Sequence, residues 1–215
     1  MPKPMYVWSG SAWVSVASEV ESLANYATVN YASTQPGMKM VVPTSVAVGS
    51  GSGSVDTNGA VTFSAASSIS LNGCFTSTYD NYRFVLTTTS NTATGYINLR
   101  LRSAGTDVTA SNYFSSVVQA AYGSTALSND NSGNSTATWS RFGYYDGTTD
   151  AYAASGDILL PFATAYTSFN VAKARSGYGS EFATGVYKAT TSVDGITIYS
   201  AGNFTGTLRV YGYKN

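Results

Sequence analysis

Apolar and polar residues alternate with a period of two along most of this chain, and that pattern predicts strands. The clearest stretch is Tyr96-Ile97-Asn98-Leu99-Arg100-Leu101-Arg102. Successive strand side chains point to opposite faces, so Ile97, Leu99 and Leu101 face a core while Asn98, Arg100 and Arg102 face outward. Thr207-Leu208-Arg209-Val210-Tyr211-Gly212-Tyr213 repeats the alternation and predicts a last strand running almost to the chain end. Further strands are predicted near 39–48, 61–63, 69–75, 82–86, 113–121, 136–144, 156–160, 168–174, 182–188 and 195–199. Asn58-Gly59 marks a hairpin turn between Val55 and Val61, because these two residues tolerate the positive φ that tight hairpins need. The Gly-Ser repeat at 49–54 reads as a flexible loop. Many short strands separated by turn signals predict a mainly β fold over 38–215, an antiparallel β-sandwich of jelly-roll-like kind.

The first 37 residues follow a different pattern. Tyr6-Val7-Trp8 and Trp13-Val14-Ser15-Val16 flank Ser9-Gly10-Ser11-Ala12, which predicts a β-hairpin over 1–17 with Trp8 and Trp13 close together. A lone two-stranded hairpin is marginal in water, so the pair must pack on something. Either it packs on the rest of the chain or it docks into a partner protein; the second reading makes Tyr6, Trp8, Trp13 and Val16 the docking residues.

The only helix pattern spans about 18–33. Ser18 is a good N-cap, and Glu19 and Glu21 fall in the first turn, where the helix dipole favours negative charge. Val20, Leu23, Ala27 and Tyr31 then form one apolar stripe with Ala24 beside it. About four turns are too short to persist alone. The helix therefore lies on the sandwich or bundles with copies of itself; the narrow seam and small flanking residues favour close helix–helix approach, with a three-fold bundle the preferred arrangement. Gln35-Pro36-Gly37 ends it.

Composition narrows the function classes. Charged residues make up 10% of the chain, and 11 basic residues balance 11 acidic ones. A neutral, charge-poor surface gives no electrostatic footprint for nucleic acid or for anionic lipid. No apolar run is long enough for a membrane span, and the start lacks the apolar region of a secretory signal. Histidine is absent, which removes the commonest general base and the commonest zinc ligand. Cys74 is the only cysteine and has apolar neighbours, so a buried, inert thiol is expected, with no disulfide.

The remaining chemistry is sparse. Asp146 and Asp150 are the only close carboxylates in an aromatic setting, but Asp146-Gly147 is first a turn signal. The stretch 128–134 (Ser-Asn-Asp-Asn-Ser-Gly-Asn) has oxygen-bearing side chains but no closing glutamate, so a solvated loop is expected rather than a calcium site. No enzyme activity, cofactor or metal is expected. Tyr122, Trp139, Tyr144, Tyr145 and Tyr152 fall in or beside turn-rich stretches, with Asp146 and Asp150 among them. Aromatic faces stack on sugar rings and carboxylates accept hydroxyl hydrogen bonds, so this set is the candidate contact with a cell-surface glycan. The competing reading places several of these rings in the core.

The Trp8–Trp13 hairpin and the Leu23-Ala24-Asn25-Tyr26-Ala27-Thr28-Val29-Asn30-Tyr31 segment resemble N-terminal parts of tailed-phage fibre and minor tail proteins. The run from Ser70 to Arg83, and the pairing of Asn98–Arg102 with Phe204–Gly212, are similar to pieces of such virion proteins. The resemblance implies a structural virion protein on the particle exterior, a homotrimer anchored by its N-terminus to other virion proteins. The leading reading is a trimeric fibre or receptor-binding protein for host attachment; the alternative is a capsid decoration or head-fibre protein, and a glycan-hydrolysing spike is the third class.

Overall fold

The structure, a computed structural model, describes residues 6–15, 37–124, 126–148, 151–162, 164–175 and 179–214. The chain divides into two units, Met1–Gly37 and Met38–Asn215. Among the described residues the fold is mainly β. The expected helix over 18–33, with Val20, Leu23, Ala24, Ala27 and Tyr31, lies outside them, as do Val16 and Asp150.

In the first unit, β1 (Tyr6–Trp8) pairs antiparallel with β2 (Trp13–Ser15). Ser9 closes the turn: its backbone N–H donates to the Ala12 carbonyl at 2.9 Å, and its hydroxyl accepts from the Ala12 N–H at 3.1 Å. This is the predicted hairpin.

The second unit begins with β3 (Lys39–Met40), β4 (Ser45–Val48), β5 (Ser52–Val55) and β6 (Val61–Asn72). It continues through β7 (Asn81–Asn91), β8 (Gly95–Ser103), β9 (Thr106–Asp107), β10 (Tyr113–Ala121) and β11 (Leu127–Thr136). The last strands are β12 (Trp139–Tyr145), β13 (Tyr152–Leu159), β14 (Thr167–Arg175), β15 (Gly179–Tyr187) and β16 (Gly195–Tyr213). All fourteen belong to one hydrogen-bonded network, and every pairing is antiparallel.

β16 organises the unit. One edge of it pairs with β6 along most of its length. Its other edge pairs with β8 over Gly195–Ser200 and with β7 over Phe204–Tyr213. Because the neighbour changes, the sheet splits into two layers that share β6 and β16. One layer continues through β8 to β12; the other runs β7, β13, β14, β15, β10, β11. Register shifts between Tyr199 and Gly206 supply the bend. Gly206 is required there, since a Cβ would collide with the Thr87 carbonyl.

The layers face each other through aromatic rings. Phe84 of β7 stacks on Phe142 of β12 at 4.2 Å, and Trp139 of β12 stacks on Phe169 of β14 at 4.9 Å. Gly185 makes room for the indole: a Cβ on it would sit 2.7 Å from Trp139 Nε1. Each buried ring contributes roughly 1.5–3 kcal/mol of transfer free energy. The Tyr113 hydroxyl ties the layers further, accepting from the Leu101 N–H at 2.9 Å and donating to the Val108 carbonyl at 3.0 Å.

Several sequence expectations change here. The stretch 128–134 is not a solvated loop; it lies within β11, whose backbone pairs with β10. The strands predicted at 195–199 and 207–213 are one nineteen-residue strand. Those at 61–63 and 69–75 belong to the single strand β6, which ends at Asn72. Half of the Gly-Ser repeat forms β5, paired with β6. At Asn58-Gly59 the predicted turn forms; the Asp56 carboxylate accepts from the Asn58 and Ala60 N–H groups, each at 2.9 Å.

Candidate functional site

The hairpin of the first unit presents two indoles. Trp8 and Trp13 are register partners, with ring centroids 5.6 Å apart and planes tilted by 59°. Cross-strand aromatic pairs stabilise hairpins by a few tenths to about 1 kcal/mol, which explains why the two rings meet. They remain 56% and 68% exposed. Tyr6 contributes a backbone pairing with Ser15.

Of the residues expected to contact a glycan, three are core residues in this fold. Trp139, Tyr145 and Tyr152 are 1%, 0% and 7% exposed, so their rings are closed to a macromolecular ligand. Their sequence neighbourhoods look like loops, yet all three lie on strands and point between the layers. Burial pushes the Tyr145 phenol up to about 12. Tyr144, on the opposite face of β12, is half-buried and meets Tyr96 edge-on at 4.7 Å. Asp146 follows, half-buried, in a turn held to β7 by Asn91, whose amide donates to the carbonyls of Ala93 and Gly147 at 2.8 Å each. Tyr122 is exposed on another element, just after β10. The fold therefore brings together Tyr96, Tyr144 and Asp146, and leaves Tyr122 on a separate turn.

The outer face of the second layer carries a feature that sequence reasoning missed. Cross-strand register places Val85, Ser155, Ala172, Phe182 and Val118 in one row over β7, β13, β14, β15 and β10. The next row includes Thr87 and Ala153 on one side and Ser180, Ala120 and Leu127 on the other. Alanines and serines floor a hollow of about 710 Å³, and Phe182, Val118 and Leu127 rise beside it, 51%, 40% and 70% exposed. The signal was present in the parity of Phe169, Val171 and Lys173, which turns Ala172 outward. It was obscured because Lys173 itself points inward. Directly beneath the hollow Lys173 and Glu181 are register partners, with Nζ 3.2 Å from Oε2. On the same face as the hollow Arg83 and Asp157 satisfy one another through two hydrogen bonds of 3.1 and 3.0 Å, and Arg209 of β16 is the register partner of Val85.

The first layer holds a polar clamp around Arg102, which is 9% exposed. Its Nε donates to Asn72 Oδ1 at 2.7 Å, Nη1 to Thr197 Oγ1 at 2.8 Å and to the Asp107 carboxylate, and Nη2 to the Gly105 carbonyl. Thr197 in turn donates to Asp107 at 2.6 Å, and Arg100 lies over the Tyr199 ring at 4.8 Å. All three guanidinium nitrogens of Arg102 are engaged, so this cluster fastens β6, β8, β9 and β16 together.

Cys74 is fully buried, and burial pushes its thiol up to about 12. Among the described residues no group of three or more His, Cys, Asp or Glu side chains is placed to hold a metal ion. Among the same residues no helix is long and apolar enough to cross a membrane. No family model matches the chain, and a search of curated proteins finds no similar one.

Proposed function

We propose that this chain is a structural, non-enzymatic protein of a tailed-phage particle: a homotrimeric fibre protein that attaches the particle to its host and is anchored by its N-terminus. The observation that carries the reading is the Trp8–Trp13 pair, two largely exposed indoles side by side on a hairpin too small to be stable alone. Such a pair fits a hydrophobic socket on another protein, which gives the chain an anchored end. In this reading 18–33 forms the trimerising helix, and 38–215 is the jelly-roll-like sandwich carried beyond it.

The attachment surface is the half-buried group of Tyr96, Tyr144 and Asp146 together with the exposed Tyr122 on a separate turn, and its ligand class is a cell-surface glycan. Tyrosine rings stack on sugar faces, and a carboxylate accepts hydroxyl hydrogen bonds.

Imaging of purified particles labelled on this chain tests the proposal. Labels at fibre positions are expected. Labels spread over the shell in hundreds of copies would make it a decoration protein instead, and particles without label would refute the virion assignment.

A further inference from the structure

We infer that the hollowed outer face of β7, β13, β14, β15, β10 and β11 is where the β unit packs against a second copy of this chain. Contiguous apolar surface of this kind is rare on a monomer and marks an interaction site.

Three properties of the face select a second copy as the occupant. The first is charge. On β7, β13, β14, β15, β10 and β11 no charged side chain stands in the rows that include Val85, Ala172 and Phe182 or Ala153, Ala120 and Leu127; Arg209 of β16 continues the first row beyond Val85, outside the hollow. In the next row of the same face Arg83 and Asp157 neutralise each other, and the whole chain carries no net charge. The hollow and its ridge thus carry no charge of their own to repel an identical surface or to select a charged partner; Arg209 and Lys188 stand at the two margins.

The second property is shape. A ridge (Phe182, Val118, Leu127) lies directly beside a hollow floored by small residues. The ridge of one copy can therefore fill the hollow of the next, whether the contact is two-fold or cyclic.

The third is area. Six strands spaced ~4.8 Å apart and about seven residues at ~3.4 Å each give a face of roughly 700 Å², its apolar rows joined by the row that holds the Arg83–Asp157 pair. That approaches the ~800 Å² per partner of a standard stable interface. The outer positions from Phe114 to Ala120 and from Ser180 to Val186 extend over this length, and a second, smaller hollow of about 320 Å³ lies at the Phe114–Val186 end.

This contact deepens the oligomer reading given above and rests on it only for the number of copies. It does not depend on the segment 18–33. Sedimentation equilibrium of the full chain, unsubstituted and with Ala172→Lys plus Phe182→Ser, tests it. Both positions are solvent-facing, so thermal unfolding should be nearly unchanged. The dissociation midpoint of the oligomer should rise at least about tenfold, equivalent to ~1.4 kcal/mol. An unsubstituted trimer whose midpoint does not move keeps the trimer and overturns this interface. An unsubstituted dimer abolished by the substitutions keeps the interface and overturns the trimer; a monomer at every concentration overturns both.

Cysteine labelling gives a second readout with a milder change. Cys74 is buried and its thiol suppressed, so an introduced cysteine supplies the reactive thiol. Ala172→Cys should label with maleimide several-fold more slowly than the exposed turn variant Thr57→Cys in the assembled protein, and equally fast after dilution. Equal rates at high concentration would overturn the interface.

Discussion

Lys173 and Glu181 face each other across the β14–β15 ladder with Nζ 3.2 Å from Oε2, and both side chains are withdrawn from solvent between the layers. Glu181 Oε1 has no hydrogen-bond partner. Desolvating two charges costs more than such a pair returns when its hydrogen bonding is incomplete. Removing one member, as in Glu181→Ala, should therefore destabilise the unit by about 3–5 kcal/mol, because the buried ammonium loses the carboxylate it faces. The double substitution Lys173→Met with Glu181→Leu should be neutral or stabilising. Denaturant midpoints of the three proteins decide the matter; a double variant weaker than Glu181→Ala would contradict this reading of the pair.

Trp139 makes a second, separable prediction. Its ring stacks on Phe169, and its indole N–H has no hydrogen-bond partner. Trp139→Ala should cost about 3–5 kcal/mol through the cavity it leaves. Trp139→Phe keeps an aromatic against Phe169 and removes the unpaired donor, so it should cost less than half as much. Glycan binding should be unchanged in the Phe variant, since the ring is inaccessible.

Arg102 is held by its geometry as well as its charge. Arg102→Lys retains the charge but cannot reach Asn72, Thr197, Asp107 and Gly105 at once, because an ammonium is a point donor and a guanidinium a planar fork. Loss of stability should be clear in thermal melts of Arg102→Lys and larger, about 3–5 kcal/mol, in Arg102→Ala, where the half-buried Asp107 loses its closest cation. A lysine variant as stable as the parent would show that charge alone matters here.

Alkaline pH should unfold the β unit. Burial raises the Cys74 thiol from 9.0 to about 12 and the Tyr145 phenol from 10.0 to about 12. Both groups have folded values above their unfolded ones. Their contribution is therefore complete below pH 9 and is lost progressively as pH rises from 9 towards 12. Circular dichroism across that range should show a cooperative loss of β signal, and a thiol reagent at neutral pH should react with Cys74 only after unfolding. Ready reaction in the folded protein would contradict its burial.

What the sequence made legible was the regular part of the fold. Ile97, Leu99 and Leu101 are buried as their alternation required, and the strand predicted at 113–121 is β10. The Trp8–Trp13 hairpin was also readable, because its turn residues and its apolar pair are local. Three things were not local. β11 is rich in Ser, Asn, Asp and Gly and reads as a turn, yet it is an edge strand paired on one side; polar edge residues discourage pairing between molecules. Trp139, Tyr145 and Tyr152 sit near turns in sequence, and only the meeting of the two layers closes over them. The hollow on the outer face depends on six strands from distant segments lying side by side in register. No window of sequence contains it.

The measurement that bears most directly on the proposed role is incorporation of a hairpin variant into particles. Trp8→Ser with Trp13→Ser removes the exposed indoles, which belong to the first unit and not to the β unit. The purified variant should melt like the parent, and particles assembled with it should lack the chain. Normal incorporation of the double variant would contradict an anchor built on Trp8 and Trp13.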